Sequence, residues 1–403
     1  MNVRILPGRA CGTIEAPPSK SYAHRLMLCA ALAGGESTVS GIAESQDMLA
    51  TLDCIEALGI PYTRTGNMVT FKGGLRGYPD GTVFPCRESG STLRFFLPVA
   101  LAKQGSAVFT GAERLIERGV SIYESLFAEK GIVLTKDTDS IRVCGKLPAG
   151  EYTVTGGISS QFVTGLLFAL PLLDGDSILR ILPPVESRPY IDITLDVLRR
   201  FGICVEEREE NCFYICGNQH YSNHNAAAEG DWSNAAALLA FNLTGGEVCI
   251  TGLNENSVQG DRVCAEALKK LKTPEPLINL SDCPDLGPVL FAAAAICGGA
   301  RFTGTRRLRI KESDRAAAMA EELRKFGIFA EVHENDVCIR PGTMQAPSDI
   351  LNSHNDHRIV MALALLCSVT GGEIAGAEAV CKSWPDFFGC LSALGLEVCY
   401  EAG

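Results

Sequence analysis

Six times along this chain an apolar, helix-like run opens on a small polar or charged cluster and closes at a glycine. The openings are Ser19-Lys20-Ser21, Gly90-Ser91-Thr92, Ser159-Ser160-Gln161, Asp231-Ser233-Asn234, Asp282-Asp285 and Asp356-His357-Arg358. The closing glycines, Gly34, Gly105, Gly175, Gly245, Gly298 and Gly371, stand 71, 70, 70, 53 and 73 residues apart. A near-constant period of this kind means that one supersecondary unit is repeated. A second mark runs in phase with it. Helical runs end at Leu58-Gly59-Ile60, Lys130-Gly131-Ile132, Phe201-Gly202-Ile203, Phe326-Gly327-Ile328 and Leu394-Gly395-Leu396, each before a β-rich segment. Glycine just past a helix, leading into a strand, is a helix stop. Only the fourth unit lacks it, where the chain reads Leu268 to Pro276 through Lys-rich and Pro-rich sequence. That is also the 53-residue interval. Each unit reads helix–strand–helix–strand with extra short strands.

The least structured stretch, Asn218–Gly230, has three units before it and three after. The simplest architecture is two lobes of three units: 19–227 as the first, 1–18 plus 228–403 as the second, with a hinge near 218–230. The residues alone leave open which lobe takes the N-terminal strand, read as roughly residues 1–18. Pro17-Pro18 marks an abrupt break after it. A chain of 403 residues buries substantial cores. Its formal net charge of −11 argues against nucleic acid as a partner. The longest apolar stretches are too short to span a bilayer, and no N-terminal segment has signal-peptide form, so a cytoplasmic protein without a membrane partner is expected. The 17 cysteines include no CxxC pair. They read as small buried hydrophobes, Cys29, Cys249, Cys297 and Cys367 among them, in a reducing compartment, with no metal site.

Five of the six openings have Lys or Arg nearby. A helix N-terminus offers unpaired N–H groups and partial positive charge, so it attracts anions. Six such ends with cations point to a small, multiply anionic substrate. Lys20 sits where the helix dipole disfavours it, and a cation there needs an anion. Gly90, in Arg87-Glu88-Ser89-Gly90-Ser91-Thr92-Leu93-Arg94, permits close approach of backbone to ligand. Arg114 and Arg118 share a face if their segment is helical. Ser159, Ser160 and Gln161 suit phosphate or hydroxyl recognition, with Ser187-Arg188-Pro189-Tyr190 as a further source of donors. Lys311-Glu312-Ser313-Asp314-Arg315 is the densest cluster, backed by Arg306, Arg307 and Arg309. A carboxylate is a poor phosphate ligand, so Glu312 in a cationic cleft points to proton transfer. His357 and Arg358 open the sixth unit, Lys382 follows it, and Asp285 is a second candidate base. Each cluster taken singly also fits a capped, solvated first turn; for Asp285 in particular the residues alone favour an N-cap over a base.

Together these residues closely resemble the 3-phosphoshikimate 1-carboxyvinyltransferase family over essentially the whole chain. The most specific parts are Ser19-Lys20-Ser21 with Arg25, Ser159-Ser160-Gln161, Ser187-Arg-Pro-Tyr190, Lys311-Glu-Ser-Asp-Arg315 and Asn355-Asp-His-Arg358. The resemblance implies an α/β (α+β) fold: a two-lobed, inside-out α/β barrel with three βαβαββ-type repeats per lobe, the N-terminal strand belonging to the second. It implies that shikimate 3-phosphate and phosphoenolpyruvate combine with release of phosphate, with no metal or organic cofactor, in a monomer. It assigns Lys20, Ser21, Arg25, Ser159, Ser160, Gln161, Ser187, Asp285 and Lys311 to shikimate 3-phosphate. It assigns Lys20, Gly90, Arg118, Gln161, Arg315, Arg358 and Lys382 to phosphoenolpyruvate. Asp285 is then the base toward the 5-hydroxyl, and Glu312 or Lys20 the proton shuttle at the methylene carbon. Departures from the family pattern are Glu88-Ser89-Gly90-Ser91 for a frequent Asn-Ala-Gly-Thr, Phe95 for Pro, Arg307 for Asn, and Gly119 for Pro. The family's inhibitor glyphosate is expected to reach toward Gly90, where no side chain intrudes. Two rivals compete: the sister UDP-N-acetylglucosamine carboxyvinyltransferase, which has Lys-Asn near its N-terminus and a loop Cys near positions 114–118, and a non-catalytic anion-binding protein.

Overall fold

The computed structural model describes residues 1–75, 77–103 and 105–401. The chain divides into two compact units, one of Pro18–Glu229 and one of Met1–Pro17 with Gly230–Gly403. Each has its own hydrophobic core.

One sheet shows the repeated plan. Strands Thr82–Pro85 and Ser106–Thr110 run parallel, joined by the helix Gly90–Lys103. Parallel neighbours need such a crossover. After the helix Ser121–Glu129 comes a hairpin of Val133–Lys136 and Ser140–Cys144, whose second strand pairs antiparallel with Ser106–Thr110. The sheets built on Ser177–Leu182 and Ala300–Thr303 have the same strand order.

The remaining sheets borrow strands from far away. The first repeat takes its outer strand, Ala226–Ala227, from the other end of its unit, parallel to Glu36–Ser40. The stretch 218–229 thus packs onto its own unit, with Tyr221 buried and bonded to the Phe168 carbonyl. The N-terminal segment holds two strands rather than one. Asn2–Ile5 lies between Gly372–Ala375 and Val398–Glu401 in the sixth sheet. Cys11–Glu15 pairs parallel with Glu247–Thr251 in the fourth. Among the described residues that fourth sheet has two strands. Its helix Cys264–Lys270 runs through Thr273-Pro-Glu-Pro276 into Leu277–Asn279 of the next sheet, with no hairpin between. The missing hairpin accounts for the short interval.

Burial sorts the helices into two kinds. The runs that open on the clusters, such as Lys20–Leu32, Gly287–Cys297 and His357–Thr370, are buried on nearly every face. The second helix of a repeat is amphipathic, as in Arg188–Arg200. These second helices end at Gly59, Gly131, Gly202, Gly327 and Gly395, all with φ between 72° and 91°, the left-handed turn that glycine adopts without strain.

The cysteines correct one expectation. Seven are buried, but Cys249 is exposed with Cys11, Cys144, Cys204 and Cys216, and Cys297 is half-buried. Cys249 alternates outward on its strand, which apolar neighbours in sequence do not disclose. Among the described residues no helix is long and apolar enough to cross a membrane.

Candidate active site

In the unit Pro18–Glu229, Ser19 caps the first helix by accepting from the Tyr22 N–H, and Lys20 is its first residue. Lys20 is half-buried and its Nζ meets Asp47 Oδ2 at 2.9 Å. Asp47, in the first turn of the helix Gln46–Ala57, had no signal in the sequence beyond that of a dipole-favoured acid.

Arg25 follows one turn on and is only 3% exposed. Its guanidinium donates to Thr194 Oγ1 at 2.8 Å, to the Ser21 carbonyl at 2.7 Å, to the Tyr190 carbonyl at 3.0 Å and to Thr164 Oγ1 at 3.4 Å. It lies 5.2 Å over the ring of Phe95, one of the departures from the family pattern. All these partners are neutral. Burial therefore pushes its pKa down to about 10.

Helices Gly90–Lys103 and Ser160–Ala169 are tied at their N-termini. Gln161 donates to Ser91 Oγ at 3.0 Å and accepts from Arg94 Nη1 at 2.5 Å. Ser159 caps the second of these helices. Ser160 and Ser187 are buried, Ser187 with φ 59° at the start of Arg188–Arg200. A methyl built on Gly90 would lie 3.0 Å from Arg94 Nη1 and 3.4 Å from Arg118 Nη2. The turn at Gly90 is thus crowded by two guanidiniums, which corrects the expectation of open space. Arg94 is buried and also bonded to the Gly119 carbonyl. Arg114 and Arg118 stand four apart on the helix Glu113–Arg118, which meets the condition for a shared face; Arg114 is exposed and pairs with Glu117 at 3.6 Å. Arg188 is engaged by Asp192 and Glu207.

In the other unit Arg315, 1% exposed, is the centre. It donates to Asp356 Oδ2, Asp285 Oδ1 and Glu312 Oε2, each at 2.8 Å. Lys311 reaches the same Asp285 oxygen at 3.0 Å. Burial works against the charge on Arg315, yet Asp356, Glu312 and Asp285 hold its pKa well above the usual guanidinium value. Burial likewise pushes Asp285 up, but Lys311, Arg315 and Arg358 outweigh it and hold the carboxyl well below the usual range. Asp314 caps the helix that Arg315 begins, which places the charge at a buried helix start instead of on a solvated one. Arg358 is buried; its Nη1 donates to Asn234 Oδ1 at 2.9 Å, and its backbone N–H is capped by Asp356. Lys382 donates to the Asn355 carbonyl at 2.8 Å. Ser233, beside Asn234, donates to the buried Asp261. Desolvation, with Asp285 nearby, pushes Asp261 up to about 7.

Asp285, Lys311, Glu312 and Arg315 thus form one contiguous network, to which Asp356 belongs as well. Sequence reasoning gave Asp356 no role beyond opening a helix, because its partners Ser313 and Arg315 lie over 40 residues away. Among the described residues one group, Glu321, Glu322 and His354, has spacing that could suit a metal. Both Glu322 oxygens there already accept from Lys325.

A repeat-built α/β chain with phosphate-type cations in each unit, and an ion-paired carboxylate network in one, has the makings of an enzyme for anionic substrates. The family model for EPSP synthase (3-phosphoshikimate 1-carboxyvinyltransferase) matches residues 6–391. The 3-phosphoshikimate 1-carboxyvinyltransferases of Clostridium kluyveri and Clostridium acetobutylicum are each 39% identical, over 98% of this chain and 98% of theirs. An EPSP synthase structure from Acinetobacter baumannii superposes with a TM-score of 0.79 at 25% identity, covering 99% of this chain and all of that one. The chain belongs to the EPSP synthase family, and with it to the transferases of the shikimate pathway. The UDP-amino-sugar and non-catalytic readings are set aside by that membership.

Proposed function

We propose that the chain moves the carboxyvinyl group of phosphoenolpyruvate onto the 5-hydroxyl of shikimate 3-phosphate, and that its two units divide the work. The observation that carries this is Arg25: a buried guanidinium whose hydrogen-bond partners among the described residues are all neutral, which an incoming phosphate would complete. Ser21, Ser159, Ser160, Gln161 and Ser187 supply hydroxyl, amide and N–H donors around shikimate 3-phosphate. Gly90 and Arg118, with Arg315, Arg358 and Lys382, take phosphoenolpyruvate, and Lys20 serves both substrates.

In the addition step the 5-hydroxyl oxygen bonds to the enol carbon, its proton leaves to a base, and the methylene carbon takes a proton. The tetrahedral intermediate then expels phosphate as a methyl proton is removed, restoring the double bond. Asp285 is the base in this reading. While Lys311 and Arg315 bind it, its proton affinity is low; a substrate that draws Lys311 away raises it. Glu312, held by Arg315 at 2.8 Å, or Lys20 serves the methylene carbon. Seventeen unpaired cysteines, five of them exposed, support a reducing cytoplasmic setting. Phosphate release by the purified protein is the test: it should require both substrates. Release without shikimate 3-phosphate, or none with both, would overturn the reading.

A further inference from the structure

The turn that precedes Arg358 is unusual. His354 and Asn355 both have positive φ, 49° and 53°, a conformation that non-glycine residues hold only when their surroundings fix it. What fixes it is a buried carboxylate on another element. Glu322 is fully buried, seven residues or about two turns beyond Arg315 on the helix Arg315–Lys325. Its oxygens take the Asn352 N–H at 3.0 Å and His354 Nε2 at 3.0 Å, with Lys325 Nζ at 3.0 Å from both. Lys325 in turn donates to the Ile350 carbonyl at 3.0 Å.

The three residues that this turn delivers all serve the cation cluster. The Asn355 carbonyl receives Lys382. Asp356 receives Arg315 and Ser313 and caps the helix at Arg358. Arg358 lies in that helix's first turn. One helix thus supplies Arg315 at its start and, from Glu322, an anchor for the turn that sets the other two cations.

We propose that Glu322 is a positioning residue for phosphoenolpyruvate, fixing through Asn352 and His354 the turn that places Asn355, Asp356 and Arg358. This rests on the assignment of Arg315, Arg358 and Lys382 to that substrate. Glu322 touches no substrate itself; it sets the angle at which three cations meet one.

The test is steady-state kinetics of the full chain, with each substrate varied in turn, for Glu322→Ala, Glu322→Gln, His354→Gln and Arg358→Gln. Misplacement of binding groups by under 1 Å is expected to raise the KM for phosphoenolpyruvate about tenfold in Glu322→Ala. The KM for shikimate 3-phosphate should stay within about twofold of wild type. Glu322→Gln keeps an acceptor for the Asn352 N–H and should fall between Ala and wild type. A residue that only holds the fold would lower the thermal midpoint and leave both KM values alone, or raise both together; either result overturns the proposal. Should Glu322→Ala not fold, Glu322→Gln and His354→Gln carry the same KM comparison. Arg358→Gln separates the two levels. If it leaves the KM for phosphoenolpyruvate unchanged, the underlying assignment fails. If it raises that KM while the Glu322 and His354 variants do not, the assignment stands and the role of Glu322 falls.

Discussion

Arg25 and Arg315 are both buried, both near the start of a cluster-bearing helix, and differently held. Arg25 has hydroxyls, carbonyls and an aromatic ring around it, and burial pulls its pKa down. Arg315 has Asp285, Glu312 and Asp356, and its pKa is raised despite burial. The difference separates two uses of a buried cation. An arginine without a counter-charge keeps desolvated positive charge available, and an arriving phosphate gains most there. One saturated with carboxylates stores them as a network and hands one over only when a substrate rearranges it. The unit Pro18–Glu229 thus holds a buried arginine among neutral groups, and the other unit one among carboxylates.

The largest expected effect tests the proton-transfer side. Asp285→Ala and Glu312→Ala should each lower kcat by about 10²–10⁴-fold while binding of shikimate 3-phosphate, read by calorimetry, changes far less. Loss of that binding instead would turn the network into a mere binding device and erase the contrast.

Next comes stability. Arg315→Met leaves three carboxylates without their common partner and should cost about 3–5 kcal/mol in urea unfolding. Arg25→Met strands no charge, and Thr164 and Thr194 still bond each other at 2.9 Å. It should cost about 1 kcal/mol or less and instead abolish tight binding of shikimate 3-phosphate. Equal stability losses would show that the two arginines are held alike.

A pH series sharpens the network side. The folded pKa of Asp261, about 7, lies above its unfolded value of 3.8. The stability tied to its protonated form is whole below the unfolded value and lost as pH rises through about 7. Asp285 has the opposite sign: its contribution is present above the unfolded value and lost as pH falls. Asp261→Asn, neutral at every pH, should compare more favourably with wild type at pH 8 than at pH 5 in urea midpoints. A pH-independent difference would remove Asp261 from the titrating network.

The smallest effect concerns Gly90. Its neighbours Arg94 and Arg118 lie within 3.4 Å of an added methyl, and Arg94 is pinned by Gln161 and Gly119. Gly90→Ala should thus weaken glyphosate and also phosphoenolpyruvate, with a modest excess on the inhibitor. Unchanged constants for both would show that the two guanidiniums yield freely.

Much of this was legible in the residues because it is local. Ser19, Ser159, Asp314 and Asp356 cap the helices they precede, and five periodic glycines take the left-handed turn. Caps and stops act within about four residues, so a linear pattern records them. The family's motifs then named the cations. The partners were not legible: Lys20 with Asp47, Arg94 with Gln161, Arg358 with Asn234 and Glu322 with His354 are separated by 27 to 124 residues.

By itself, then, the sequence determined a chain of glycine-stopped repeats with cations at buried helix starts. Only the tertiary structure decided that residues 2–5 and 11–15 serve two different sheets and that Ala226–Ala227 closes the first. Only it decided which arginine meets carboxylates and which meets hydroxyls and carbonyls. Strand pairing and ion pairing depend on what burial brings together across hundreds of residues, and the charge state of a side chain depends on the dielectric and partners it meets there, neither of which its neighbours in sequence record.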